Sequence, residues 1–281
     1  MARARTTVEV QSPQPLSADL FTQLVRKGFK RLRKALDQCQ HGADTENVHR
    51  MRRATRHFCA LLDVCGQWEK SGRWQVVHEG TRELQQLLGP LRDMQVRVDT
   101  LAALVKEHPG LVPLLHRAQK QEQKERNTIG ELLAGSDLKE GAAWLRRLER
   151  KKPRGHPRPA LLRTIARERH VLHERWTTMQ ANNPRSMHRA RVALRRLTHL
   201  LSMMAPHLGP EISEALPGLK RLQGRLGRTH DTQVLLEWIT ATLPKIAAAD
   251  RPAVVAFLDH GLQLLNRRMS ALLRDHPEPG I

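Results

Sequence analysis

Residues 48–64 read VHRMRRATRHFCALLDV. Met51, Thr55, Phe58, Leu61 and Leu62 recur at three- and four-residue spacing, which draws one apolar stripe along a helix. The polar side carries a second pattern. His49, Arg52 and Arg56 fall within a strip about 60° wide at 100° per residue, Arg53 widens it, and no acid is interleaved. A helix built only for stability alternates charge at this spacing, so a negative partner is expected on this face.

The pattern occurs twice. HRMRRATR (49–56) matches HRARVALR (188–195) at five of eight positions with an offset of 139, and LGPLRDMQV (88–96) matches LGRTHDTQV (226–234) at five of nine with an offset of 138. Two blocks in the same order at nearly the same offset mark a tandem duplication, with a period too long for a solenoid unit. A single basic helix face is usually just solvated. Retention of His188, Arg191 and Arg195 in register with His49, Arg52 and Arg56 points instead to an anion site shared between copies, with Arg196 flanking the second strip.

The rest of the chain reads the same way. Leu, Ala, Arg, Gln and Glu dominate, Val192, Leu194, Leu197, Leu200, Leu201 and Met204 form a second apolar stripe, and no alternating β-branched run or Asn-Gly hairpin occurs. The expected fold is all-α: two pseudo-symmetric antiparallel helical bundles from a tandem duplication. The expected boundaries are a flexible arm over 1–17, a first bundle over 18–140, a basic Pro-rich linker region over 141–160 around RKKPRGHPRP (150–159), a second bundle over 161–275 and a tail over 276–281. Asp44 or Thr45 should cap the helix containing His49, and Asn183-Pro184 should open the one containing His188. Gly66, Gly72, Gly209-Pro210 and Pro217-Gly218 are expected at turns, and Gly89 and Gly227 are expected to interrupt helices.

The charge narrows the partners. The 281 residues carry 48 Lys plus Arg against 28 Asp plus Glu, a net +20, distributed as +6 over residues 1–140 and +14 over the remainder. Such a field favours polyanions. Arg outnumbers Lys by 36 to 12; the planar guanidinium matches two phosphate oxygens, although codon usage in a high-GC genome gives the same ratio. Tyr is absent, and Phe and Trp total nine, too few for a base-stacking module. No stretch approaches the ~20 apolar residues of a membrane span, so no membrane association is expected. The N-terminus lacks a signal's apolar core, and Cys39, Cys59 and Cys65 show no CxxC spacing; both suit a reducing cytoplasm.

Further candidates extend the strips. Lys30 and Lys34, with Lys27 and Arg31, stand at helical spacing before the first motif, as Arg163 and Arg167, with His170, do before the second. Arg92 is placed to reach phosphate directly, with His230 at the equivalent position. Asp93 and Asp231 are expected to orient Arg or His of the anion site. His230-Asp231 superficially matches an HD metal dyad, but its twin is Arg92-Asp93, and His170 with His173 lacks a third ligand. No Walker loop or GxSxG elbow occurs. No catalytic residue, metal site or cofactor is therefore expected.

At these residues the sequence resembles the CHAD family, helical domains named for their histidines. VHRMRRATR (48–56) and MHRARVALRR (187–196) are similar to its signature helices, and LGPLRDMQV to its companion segment, of which LGRTHDTQV is a weaker copy. The resemblance covers about residues 18 to 275. It implies two helical bundles binding inorganic polyphosphate in a basic groove, association with polyphosphate granules, and His49, Arg52, Arg56, His188, Arg191 and Arg195 as ligands, with Arg53 and Arg196 adjacent. The ExExK tunnel domain often fused to the family is absent, so triphosphatase activity is not implied. Weak sequence-nonspecific nucleic-acid binding is the alternative within the binding class; a metal-dependent phosphohydrolase of polyphosphate or inositol phosphates is the alternative among enzymes.

Overall fold

The computed structural model describes residues 14–151, 153, 155–180 and 183–276. Among these, nine α-helices follow one another: α1 (Ala18–His41), α2 (Thr45–Trp68), α3 (Trp74–Leu104), α4 (Val112–Ala134), α5 (Lys139–Arg150), α6 (Pro157–Thr177), α7 (Pro184–Met204), α8 (Pro210–Thr242) and α9 (Arg251–Asp275). Helices α1 to α4 and α6 to α9 each pack on their sequence neighbours, while α5 packs on α1 and α3. Shifting α1, α2 and α4 by 139 residues places their first residues on those of α6, α7 and α9. The duplication is therefore a duplication of a four-helix unit. α5 has no twin.

Local chemistry sets the ends. The Asp44 side chain accepts from the backbone N–H of Asn47 at the start of α2, and Asn183 accepts from Ser186 at the start of α7. This satisfies donors that a helix N-terminus leaves open. Gly72, at φ 71°, makes the turn into α3, and Gly209 precedes α8. The other expected turns are helical: Gly66 lies inside α2, Pro217-Gly218 inside α8, and α3 and α8 run unbroken through Gly89 and Gly227. Gly66 serves packing, because a Cβ there would overlap the Trp74 indole. Tertiary burial of long helices outweighs the local breaking tendency of Gly and Pro.

The region expected as linker is mostly helix. Trp144, Leu145 and Leu148 are spaced to bury one face of α5, leaving only residues 151–156 between helices. Residues 1–13 of the expected arm and 277–281 of the expected tail lie outside the described residues. The adjoining positions are docked: Leu16 is buried in the core, Gln14 N–H donates to Pro206 O, and His276 O accepts from Trp176 Nε1.

The two halves share their interior. One core runs from α1 and α2 through α6, α7 and the first half of α8, with α2 packed on α6 and α7. A second cluster joins Leu101, Leu111 and Leu114 of the first half to Leu236, Ile239 and Val254 of the second. α3 contributes Leu84, Leu88 and Leu91 to the first core and Leu101 to the second; α8 contributes Leu222 and Leu226, then Leu236 and Ile239. The stretches between are polar and face each other across the pseudo-two-fold.

Phe58 is fully buried, with ring centroids 5.6 Å from Phe29 and 6.5 Å from Trp144, and so ties α2 to α1 and α5. Phe58→Ala is expected to destabilise the fold by about 3–5 kcal/mol and lower Tm by roughly 8–15 °C. Calorimetry showing under ~1 kcal/mol would contradict this account of the core.

Candidate anion-binding site

A cavity of about 330 Å³ opens between the polar stretches. α2 supplies His49, Arg52 and Arg56; α7 supplies their twins His188, Arg191 and Arg195; α3 and α8 supply Arg92, Asp93, His230 and Asp231. The strips drawn on separate helices thus line one cavity. They come together because α2 and α7 bury their apolar stripes in the shared core, which turns the opposite strips toward the gap between α3 and α8.

The guanidiniums there make no direct ion pair among the described residues, and Asp93 and Asp231 act on them only from farther off. Among the described residues, none of Arg52, Arg56, Arg92, Arg191 and Arg195 has a carboxylate oxygen within 4 Å, while ion pairs abound elsewhere. Arg52 Nη1 donates to Leu88 O at 3.1 Å and Arg56 Nε to Arg52 O at 3.1 Å. These bonds fix the arginines without neutralising them. Burial, then the fields of Arg191, Arg56 and Arg52, lowers the Arg195 pKa to about 10. Arg52, Arg56 and Arg191 are lowered from their ordinary range chiefly by burial. Arginines that depress one another across the two halves share one field.

Three buried polar atoms on this wall, Arg97 Nε, Arg191 Nε and His230 Nδ1, have no partner among the described residues. Buried polar atoms are rarely left unpaired. Arg97 lies over the Trp238 ring at 4.7 Å, bridging the halves. The repeat could not reveal Arg97, since its twin position is Leu235. Thr100 also lines the wall.

Asp93 and Asp231 face the cavity but make no hydrogen bond or ion pair to its arginines among the described residues, and act on them through their fields. The Asp231 carboxyl is raised by burial, with Asp93 adding to the rise and the arginines opposing it.

The histidines are perturbed as well. His188 Nδ1 and His230 Nε2 are 3.3 Å apart. Burial, then Arg191, His188 and Arg195, lowers the His230 pKa to about 3. His199, whose ring faces His57 at 5.8 Å, is lowered to about 4 by burial, His57 and nearby arginines. His49 and His188 are lowered by burial and then by neighbouring arginines. In the free protein His199 and His230 thus stay neutral in mild acid, and His49 and His188 take up a proton less readily than an ordinary imidazole.

The sign of the resulting pH dependence is definite. A histidine depressed in the folded state leaves stability intact above ~6.5; as pH falls from there, the unfolded chain gains protons that the folded one refuses. The free protein is expected to lose about 1–2 kcal/mol between pH 6.5 and 5 from His199 and His230, a figure reduced from full linkage because solvent reaches both rings. Urea unfolding at the two pH values measures it, and equal stabilities would contradict the depression.

Other candidates fall elsewhere. Arg167 Nη2 lies 3.4 Å from Asp63 Oδ1 and 3.1 Å from Glu168 Oε1, and Arg196 reaches Asp63 Oδ2 and Glu168 Oε2 at 3.5 Å. Both engage carboxylates in a latch joining α2, α6 and α7 and lie outside the central cavity. Burial tends to raise the Asp63 carboxyl, but the His78 contact and the charges of Arg196 and Arg167 hold it below the usual range. Arg163 Nη2 donates to Gln67 O at the end of α2. Lys30 and Lys34 are exposed on α1 and do not line the cavity, and Arg53 is exposed beside the motif. A second cavity of about 160 Å³ shares Arg56 and Arg195 with the central one and adds Arg82, Arg196 and His199. Among the described residues no group of three or more His, Cys, Asp or Glu is arranged to hold a metal ion, and no helix is long and apolar enough to cross a membrane.

A duplicated all-helical fold with two cationic strips converging on one cavity defines the architecture. The chain belongs to the CHAD domain family, whose sequence model matches residues 23–180 and 166–276. In three dimensions it is similar to the crystal structure of the CHAD domain from the plant Ricinus communis, at 19% identity and a TM-score of 0.67, covering 98% of this chain and 93% of that one. It is also similar to PptA from Streptomyces chartreusis, at 14% identity and a TM-score of 0.67, covering 94% and 100%. Comparison with curated protein sequences returns no match.

Proposed function

We propose that the chain binds inorganic polyphosphate, without catalysis, in the cleft between its halves, and that it does so in the cytoplasm at polyphosphate granules. The carrying observation is that Arg52, Arg56, Arg191 and Arg195, from both copies, line one cavity and that, among the described residues, none has a carboxylate oxygen within 4 Å, Asp93 and Asp231 acting only through their fields. Such a cluster is self-repulsive when empty. A flexible chain of phosphates relieves the repulsion and supplies acceptors for Arg97 Nε and Arg191 Nε, both buried without a partner. Arg56 and Arg195 also line the second cavity, so a long chain continues past them. Binding through many such contacts is multivalent and steeply salt-dependent.

A nucleic-acid backbone has similar charge, but the cleft favours the thinner polymer. A duplex is too wide for a cavity of about 330 Å³. Single strands need aromatic platforms, and the Trp238 ring beside the site is covered by Arg97. The test is competition at fixed salt: long-chain polyphosphate should displace a labelled polyphosphate at least ~10-fold more effectively per phosphate than duplex DNA. Equal displacement would replace this reading with general polyanion binding.

A further inference from the structure

α5 is the helix that the duplication does not explain, and it forms one wall of a groove that the anion site does not use. The groove runs between α5 and the first half of α3 as two adjoining cavities of about 760 and 560 Å³ that share Val76, Val77 and Glu140. Neither shares a residue with the central cavity or its extension. α3 thus presents residues 76–87 to the groove and residues 92–100 to the central cavity.

The floor has an apolar base. Val76 and Leu87 of α3 reach its surface, while Val77 and Leu84 of α3 and Trp144 of α5 lie almost wholly buried beneath it. Val76 is 57% exposed, the highest value among the large apolar side chains. From Val76 to Leu87 the strip is about 16 Å long, or three helical turns.

The ends carry opposite charge. At one end stand Arg73, Arg146, Arg147 and Arg150, without an ion-pair partner among the described residues. The nearby Glu149 is engaged by Arg26 at 2.6 Å and does not neutralise them. At the other end stand Glu79 and Glu83, and Asp137 there is held by Lys139 at 2.8 Å. A bare phosphate chain would gain nothing from the apolar floor and would be repelled by the glutamates.

We infer that this groove docks an amphipathic helix of another protein, about three turns long, with acidic residues in the turn that lies over the arginines and apolar residues at i, i+4 and i+7 over the valine–leucine strip. The floor supplies affinity and the charge dipole fixes direction, as in other helix-in-groove recognition. Because groove and central cavity are separate, the helix and a polyanion are held at once. The chain is then an adaptor; that consequence rests on the polyphosphate reading, whereas the docking itself does not.

The probe is a phage-displayed library of helix-forming peptides, panned against the full chain in the presence of saturating long-chain polyphosphate. Selected peptides should show the apolar i, i+4, i+7 pattern with acids clustered in one terminal turn. In fluorescence anisotropy, Val76→Asp and the double change Arg146→Glu/Arg150→Glu should each weaken a selected peptide at least ~10-fold. All three positions are exposed, so the fold should persist, which circular dichroism and thermal melts check. Exchanging the peptide's acids for lysines should restore binding to the charge-reversed variant. Selected peptides lacking the pattern, or binding that survives both variants, would overturn the proposal. Displacement of the peptide by added polyphosphate would also overturn it, assigning the groove to the phosphate chain.

Discussion

Replacing Arg52, Arg56, Arg191 and Arg195 together by alanine is expected to weaken long-chain polyphosphate binding by about 1,000-fold or more while leaving the fold intact. Each charge-assisted contact to a phosphate oxygen contributes on the order of 1–1.5 kcal/mol net, so four amount to about 4–6 kcal/mol. The salt dependence should change as well. Each neutralised phosphate contributes about 0.7 to the slope of log K against log salt for a flexible strand, so the variant should lose close to three units of slope. Stability changes little. These guanidiniums are partly desolvated and Arg56 and Arg195 are destabilised by their neighbours in the empty protein, so truncation removes repulsion, offset by the favourable fields that Asp93 and Asp231 lose from Arg52 and Arg191. Titration at two salt concentrations, beside a thermal melt, separates the alternatives. A folded variant with wild-type affinity would falsify the shared site, and a variant that fails to fold would show these arginines to be structural.

The contrast with Arg167 and Arg196 shows what the sequence could and could not reveal. The apolar stripes, the caps at Asp44 and Asn183 and the duplication were legible because their signals are local or depend only on register. Register also located the central site: helices twinned at one offset and burying equivalent faces present equivalent opposite faces. Neutralisation was not legible. Asp63 reaches Arg167 across 104 residues and Arg196 across 133, so a reading of charge within each helix sees an acid-free strip where the fold supplies a carboxylate. α5 was misread for a related reason: its Trp144, Leu145 and Leu148 are a short apolar set beside a Pro- and Arg-rich run, and it has no twin to expose it. Gly66 and Pro217-Gly218 carry turn chemistry, yet the packing of long helices overrode it.

The histidines lead to the second large expected effect: polyphosphate binding should take up protons as pH falls below 7.5, reaching about one by pH 5.5, and tighten by roughly 10-fold over that interval. In the empty cleft His49, His188, His199 and His230 are held below their ordinary range, His230 to about 3 and His199 to about 4, by burial and by the arginines around them. A bound phosphate chain cancels the arginine contribution and adds negative charge within reach, so the imidazole pKa values rise in the complex. Between the free and bound values the complex holds protons that the free protein does not, and the binding constant must increase as pH falls through that window. Reciprocity requires the polyanion to stabilise the protein most where the free protein is weakest, on the acid side. Calorimetric titrations in buffers of different ionisation enthalpy give the proton count directly. A count of zero at pH 6, with affinity unchanged from pH 7.5, would show that the phosphates pass the arginines without meeting the histidines.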